Sequence, residues 1–279
     1  MAPAPFERLL VVGAGLLGTS VALAARRRWP SVTITAADRH AVTHAAFDGA
    51  VGEHDPLPAF DLAVLAIPID AYGPWLRRLA ADAPGRPVTD VGSVKRAPHA
   101  LAEAAGLSSD FVGGHPMAGG SRPGPERAAA SLFDGRVWFV TPGRARPGAV
   151  AAARALAEGC GATVVEIEAR AHDDTVAAIS HLPQAVASVL MAAVSAASDD
   201  AALRAAAGGL RDSTRIAEGS AAMWQPIFAA NADALAPLIR DVAQRLVSLA
   251  GQLDDPVADP RALRRRQRRP APSAGIIGA

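Results

Sequence analysis

Cysteine is almost missing from this chain of 279 residues, where Cys160 stands alone. That excludes a disulfide within the chain and any cysteine-based metal cluster. Lysine is as scarce: Lys95 is the sole lysine among 28 basic residues. Arginine carries the remaining positive charge and alanine is frequent, a pattern of biased genome composition in which arginine-rich stretches carry little weight by themselves. Charge of one sign is also lacking. The formal net charge of +1 excludes the broad basic surface of a nucleic-acid binder. No His/Cys/Asp/Glu grouping has metal-ligand spacing, so no metal is expected. No Gly-x-Ser-x-Gly elbow marks a serine hydrolase. The opening residues, MAPAPFERLL, hold no apolar core of a secretory signal, and no apolar run is expected to reach membrane-spanning length. The expected setting is the cytoplasm.

Half of the residues are apolar, enough for two domains with a sizeable core. The densest signal lies near the start. Leu9 to Val12 is a short apolar run that ends in Gly13-Ala14-Gly15-Leu16-Leu17-Gly18 and continues in a helical pattern. Gly13 suits a tight turn, Gly15 lets backbone approach a pyrophosphate, and Gly18 lets the helix pack on its strand. Asp38 follows at the end of a second β-rich run, twenty residues beyond Gly18, where a carboxylate accepts hydrogen bonds from an adenosine ribose. Strand, glycines, helix and acid together point to a dinucleotide site. Asp38 favours NAD over NADP, whereas Arg39 beside it is the residue type that accommodates a 2′-phosphate.

Short apolar runs alternate with helical stretches as far as Ile167. Candidate strands are Leu9–Val12, Val32–Thr35, Leu62–Ile67, Val88–Val91, Phe111–Gly113, Val137–Val140 and Thr163–Ile167. The alternation predicts a Rossmann-type, doubly wound α/β domain with a mostly parallel sheet over residues 1–167. Strand signals then stop. Residues 168–255 read as an all-helical domain: one long helix from His172 to Ala197, then helical segments near Asp200–Leu210, Met223–Ala236 and Leu238–Leu253. The first of these is apolar on nearly every face and must be buried. So small a helical region lacks the interior to bury it, which predicts a homodimer through this domain. Residues 256–279, with Arg264-Arg265-Arg266-Gln267-Arg268-Arg269, read as a disordered basic tail.

Ligands of such sheets sit at the carboxyl ends of the strands. Ala66-Ile67-Pro68 closes one strand there, with Ile67 and Pro68 placed to flank the nucleotide. Asp90-Val91-Gly92-Ser93 closes the next, placing Gly92 and Ser93 near the nicotinamide end. Gly113-Gly114-His115-Pro116-Met117-Ala118-Gly119 closes a third, its glycines expected to let backbone approach a ligand near His115. In the helical part, Ser180-His181-Leu182-Pro183-Gln184 sets polar groups in an apolar helix, and Pro183 predicts a bend. Arg211 and Arg215 stand four residues apart, suited to a shared helix face and to gripping a carboxylate; a pairing with Asp212 is the alternative use of one of them.

These motifs, in order and spacing, resemble the prephenate/arogenate dehydrogenase family: GAGLLG, DVGSVK, GGHPMAG, SHLPQ and GGLRDSTRIA…MWQPIFAAN. The resemblance covers about residues 8–253. It implies an NAD-dependent oxidative decarboxylase of prephenate or arogenate in tyrosine biosynthesis, with a nucleotide-binding domain and a helical dimerisation domain. It implies that His115 takes the proton of the substrate ring hydroxyl and that Ser93 orients it. Arg215, or its neighbour Arg211, anchors the ring carboxylate, and His181 lines the pocket. Two positions depart from the common pattern: Gly120-Ser121 replace Thr-Glu, and Gln184 replaces the second histidine of SHLPH. Both fall where the substrate side chain is expected, and loss of the glutamate disfavours an ammonium-bearing substrate such as arogenate. A β-hydroxyacid dehydrogenase shares the outline but resembles its relatives in a catalytic lysine on the helical domain, absent here. A non-enzymatic NAD-binding regulator is the remaining alternative.

Overall fold

The computed structural model describes residues 4–119 and 124–253. Eight strands form one sheet: β1 (Arg8–Val12), β2 (Thr33–Asp38), β3 (Gly49–Gly52), β4 (Leu62–Leu65), β5 (Val88–Asp90), β6 (Phe111–Pro116), β7 (Val137–Thr141) and β8 (Thr163–Glu166). Their order is β3-β2-β1-β4-β5-β6-β7-β8. Every neighbouring pair is parallel except β6–β7. This is the expected doubly wound, mostly parallel sheet. Edge strand β3 went unpredicted: its sequence, Gly49-Ala50-Val51-Gly52, is half glycine and partly exposed, so it carries neither apolar length nor alternation.

Helices α1 (Leu16–Arg28), α2 (Tyr72–Asp82), α3 (Arg96–Ala104) and α4 (Pro147–Gly159) cover the sheet. Successive residues of β1 feed opposite cores. Leu9 and Val11 pack with Val21, Trp29, Trp138 and Leu156, while Leu10 and Val12 pack with Tyr72, Trp75, Leu76 and Phe111. Burial on both faces is why these strands read as continuous apolar runs. It also explains Gly113 and Gly114. A Cβ at Gly113 would lie 2.2 Å from Thr141 Oγ1, and one at Gly114 2.4 Å from the Asp90 carbonyl oxygen. These glycines therefore admit protein neighbours, correcting the expectation that they serve the approach of a ligand.

Beyond β8 the chain is helical: α5 (Ala169–Val176), α6 (Leu182–Ala197), α7 (Asp200–Arg204), α8 (Gly208–Thr214), α9 (Ala221–Ala230) and α10 (Ala232–Leu253). The last runs from one compact unit, Met1–Leu235, into a second that begins at Ala236. Between α5 and α6 lies a π-helical segment, Ala177–His181. It answers Pro183, which has no N–H to give and whose ring crowds the preceding turn; one extra residue relieves both. The predicted bend is thus a π-bulge, and helix continues from Ala169 to Ala197. That 29-residue stretch, of mean hydropathy 1.5, reaches membrane-spanning length by composition, with a third of its apolar window buried. This corrects the expectation drawn from runs interrupted by Ser180, His181 and Pro183. Along it Ile179, Val186, Val189 and Leu190 stay exposed in the single chain, Val189 by 69%. The segment expected over Asp200–Leu210 breaks before Gly208-Gly209, and the later break falls at Asn231 rather than Pro237, which lies inside α10.

Candidate active site

The turn after β1 is shaped by what it must avoid. Gly13 has φ +96°, and a Cβ there would lie 2.5 Å from the Ala66 carbonyl oxygen and 2.7 Å from Ile67 Cγ2. A Cβ on Gly18 would strike the Gly13 carbonyl oxygen at 1.9 Å. At Gly15, by contrast, a Cβ would meet nothing within 4 Å among the described residues, which leaves room for a ligand to approach. Gly15 caps α1 with no side-chain hydrogen bond, and the first turn, with Leu16 and Leu17, holds no acid. The backbone donors of that turn and the positive end of the helix thus face outward, as a pyrophosphate requires. Asp38 sits alongside. Its Oδ2 accepts from the Ala14 N–H at 2.8 Å and its Oδ1 from the His40 N–H at 2.8 Å. A cleft of about 630 Å³ opens there, lined by Ala14, Gly15, Asp38, His40, Thr43 and Glu126 among others. Arg39 is exposed and bonds His40 at 3.1 Å. Ile67 borders Gly13, while Pro68 is exposed. These features fit a dinucleotide with its adenosine end at Asp38.

At the carboxyl ends of β5 and β6 the construction changes to buried side chains. Lys95 is fully buried and donates to Asp90 Oδ1 at 2.6 Å, Asp90 Oδ2 at 2.5 Å and the Gly114 carbonyl at 2.5 Å. Asp90 also accepts from the Gly114 N–H (2.8 Å), the Gly92 N–H (3.0 Å) and the Tyr72 hydroxyl (2.9 Å). Burial, then the Asp90 charge, push the Tyr72 phenol well up, so it remains a donor. This knot fixes the loop carrying Gly92 and half-buried Ser93 against the strand carrying His115.

His115, 8% exposed, contacts His172 of α5, Nδ1 to Nε2, at 2.9 Å. His172 Nδ1 contacts Asp173 Oδ1 at 2.8 Å. Asp173 Oδ1 accepts the Lys95 N–H at 2.7 Å, and its Oδ2 accepts the Arg96 N–H at 3.0 Å and Arg96 Nε at 3.1 Å. Asn231 completes the cluster. Its Nδ2 donates to the Asp173 carbonyl at 2.8 Å and reaches His181 Nδ1 at 3.2 Å, while its Oδ1 accepts from Arg96 at 2.8 Å. The Arg96 guanidinium also pairs with Asp233 at 2.6 Å. Burial, then the neighbouring His172, Lys95 and His181, hold the His115 imidazole well below its ordinary range. Burial pulls His181 down to about 4 and lowers His172 as well. The histidines are therefore neutral at physiological pH, and His115 is fit to accept a proton.

The π-bulge turns His181 inward against Trp224 and Phe228, with ring centroids 6.0 and 6.3 Å away. Its Nδ1 is taken by Asn231, and its buried Nε2 has no partner among the described residues. Gln184 is 3% exposed, with Nε2 3.4 Å from Ser188 Oγ. The two arginines part company. Arg211 lies in α8, but Arg215 opens a 3-10 turn, Arg215–Glu218, packed on α6, so they share no helix face. Both are exposed, and neither pairs with Asp212 or another acid among the described residues. Gly120 and Ser121 lie outside the described residues.

Sequence reasoning missed His172, Asp173, Asn231 and Arg96. A usable signal was present for two of them, since His172-Asp173 opens an otherwise apolar helix, where buried ionisable groups need partners.

Two family models match the chain: "Prephenate dehydrogenase, nucleotide-binding domain" over residues 21–166 and "Prephenate dehydrogenase, dimerization domain" over residues 168–264. The chain is 30% identical over 259 residues to a prephenate dehydrogenase of Lactococcus lactis, covering 88% of this chain and 70% of that protein. It is 30% identical over 269 residues to a cyclohexadienyl dehydrogenase of Zymomonas mobilis, covering 90% and 91%. A solved prephenate dehydrogenase from A. aeolicus, in complex with hydroxyphenyl propionate and NAD+, superposes with a TM-score of 0.81 at 27% identity, covering 88% of this chain and 90% of that one. With both halves matched in order, the chain belongs to the prephenate dehydrogenase family.

Proposed function

We propose that the protein catalyses the NAD-dependent oxidative decarboxylation of prephenate to 4-hydroxyphenylpyruvate, a step of tyrosine biosynthesis. The observation that carries this reading is His115: a neutral, buried base at the end of β6, next to strand ends that fit a dinucleotide. Gly13 and Gly18 shape the turn, Gly15 admits the pyrophosphate to it and Asp38 holds the adenosine ribose, with Arg39, Ile67, Pro68 and Gly92 along the cofactor's path. Bound NAD supplies the hydride acceptor. His115 takes the ring hydroxyl proton as hydride leaves the same carbon, giving a ring ketone. The ring carboxylate then departs as carbon dioxide, its bonding pair closing the aromatic ring, and the proton returns to the phenolic oxygen. Aromatisation drives the sequence, so positioning and one proton acceptor suffice.

Ser93 orients the hydroxyl. Arg215, a guanidinium with no acidic partner among the described residues, anchors the ring carboxylate, with Arg211 as the second candidate. His181 offers its unpartnered Nε2 to the pocket, and Gln184, Gly120 and Ser121 border the substrate side chain. Gly120-Ser121 in place of Thr-Glu removes a carboxylate for the ammonium of arogenate, which favours prephenate. The exposed apolar stripe of α6 is covered by a second copy of the chain rather than by lipid, and an intracellular cofactor supports a cytoplasmic setting. Lys95, buried and held by Asp90, is unavailable as the catalytic lysine of a β-hydroxyacid dehydrogenase. Absorbance of NADH on mixing with prephenate and NAD is the test. Turnover with prephenate at higher kcat/KM than with arogenate, and with NAD than with NADP, is expected. Absence of turnover with either ring substrate overturns the reading in favour of a regulator.

A further inference from the structure

A carboxylate can only accept hydrogen bonds. Burial alone would raise the Asp173 carboxyl, but bonds from His172 and from the Arg96 and Lys95 backbone outweigh it and keep it ionised. His172 Nδ1, 2.8 Å from Asp173 Oδ1, must therefore carry a proton. A neutral His172 then has a lone pair on Nε2, and the contact at 2.9 Å to His115 Nδ1 is a hydrogen bond only if His115 donates it. That leaves His115 Nε2 unprotonated. We propose that Asp173 and His172 are positioning residues that lock His115 in its Nδ1–H tautomer and present its Nε2 lone pair to the substrate hydroxyl. The assignment rests on the dehydrogenase reading above for the identity of the hydroxyl, but the tautomer is a property of the free protein. A free imidazole favours the opposite form, with the proton on Nε2, which would meet a hydroxyl as a donor and accept nothing. The other groups near His115 agree with a neutral ring. Lys95 has its ammonium spent on Asp90 and the Gly114 carbonyl, and His181 is held neutral by burial.

Asp173 has a second duty, since its carboxylate takes the backbone N–H groups of Lys95 and Arg96 at the start of α3. Its removal would confuse positioning with folding. Both ring nitrogens of His172 are committed to His115 and Asp173, with Phe139 edge-on at 5.3 Å. It is the residue to change. The first measurement is a two-bond 1H–15N spectrum of the histidine-labelled full chain at neutral pH, with the His115 signals identified as those absent from His115→Asn. Protonated Nδ1 and bare Nε2 are expected; the reverse pattern overturns the proposal. The second compares His172→Phe with His172→Gln, whose side-chain oxygen can accept from His115. His172→Phe is expected to lower kcat by about ten- to a thousandfold with KM for both substrates within about threefold, and His172→Gln to regain at least tenfold. Wild-type kcat in His172→Phe, or equal losses in both variants tracking their melting temperatures, overturns it. If His172→Phe does not fold, the spectrum and a folded but inactive His172→Gln decide against or for it in the same terms. Should the wild type turn over no ring substrate at all, the dehydrogenase reading fails while the spectrum still reports the tautomer.

Discussion

The turn proposed to hold the nucleotide is made of backbone, and the site proposed for catalysis is made of buried side chains. Around Gly13–Gly18 the functional groups are peptide N–H donors at a helix start, half-open to solvent, with one carboxylate, Asp38, as the main side-chain contributor. Around His115 they are Lys95, Asp90, His172, Asp173, His181 and Asn231, each fully buried and hydrogen-bonded to at least one other. Backbone sites depend on conformation and little on chemistry, so they tolerate most substitutions except those that add a Cβ in the wrong place. Side-chain networks depend on every member, since one missing partner leaves the others unsatisfied in a low dielectric.

Removing chemistry from the buried end should cost most. His115→Asn is expected to lower kcat by about a hundred- to ten-thousandfold, with KM for NAD unchanged; near-normal kcat would remove His115 from the mechanism. Arg215→Ala comes next. It should raise KM for prephenate by an amount equivalent to about 1.5–3 kcal/mol, the scale of a lost hydrogen bond to a charged group, and should leave KM for NAD alone. If Arg211→Ala has the larger effect, the anchor is the other arginine.

Two alanine substitutions sharpen the contrast from the backbone end. Gly15→Ala places its methyl in open space, so the melting temperature should hold while KM for NAD rises by about ten- to a hundredfold, the scale of a lost charged hydrogen bond. Gly13→Ala forces a methyl toward the Ala66 carbonyl at a positive φ, and should cost about 1–3 kcal/mol of stability. Equal behaviour of the two, by thermal melts and cofactor titration, would erase the distinction between openness for a ligand and openness for protein.

The buried end also sets a dependence on pH. His115, His172 and His181 are held neutral in the fold, His181 down to about 4. Between that value and about 6.5 the unfolded chain binds protons that the folded chain refuses, so stability rises with pH across this window and is lost as pH falls through it. Each such histidine contributes a slope of up to about 1.4 kcal/mol per pH unit. Denaturant titrations at pH 7, 5.5 and 4.5 should show the loss, and a flat profile would contradict the neutral cluster.

The same division governs what can be read from sequence. The glycine turn and Asp38 are legible because their spacing is local: strand, turn and helix follow one another in the chain. Val88–Val91 and Phe111–Gly113 are legible because burial on both sheet faces leaves continuous apolar runs. His115 stood out through its place at a strand end. His172 and Asp173 did not, because their partners lie 57 and 78 residues away, and nothing in a helical periodicity marks which side chain will meet which. Asn231 was hidden for the same reason, its value lying in three contacts to Asp173, His181 and Arg96. The missed strand β3 fails differently, its glycines giving no apolar pattern to detect.

The scarcity of lysine and cysteine has a practical reading. Lys95 and Cys160 are each 0% exposed, and burial pushes the Cys160 thiol up to about 12. To amine- and thiol-directed reagents the folded protein is nearly inert beyond its terminal amine, so an amine tag attaches at one end only. The two side chains then serve as orthogonal clocks. Acylation of Lys95 times the opening of the catalytic knot, and alkylation of Cys160 times the opening of the sheet core against α4. Their rates, taken on one sample, tell whether the chain comes apart in one event or in two.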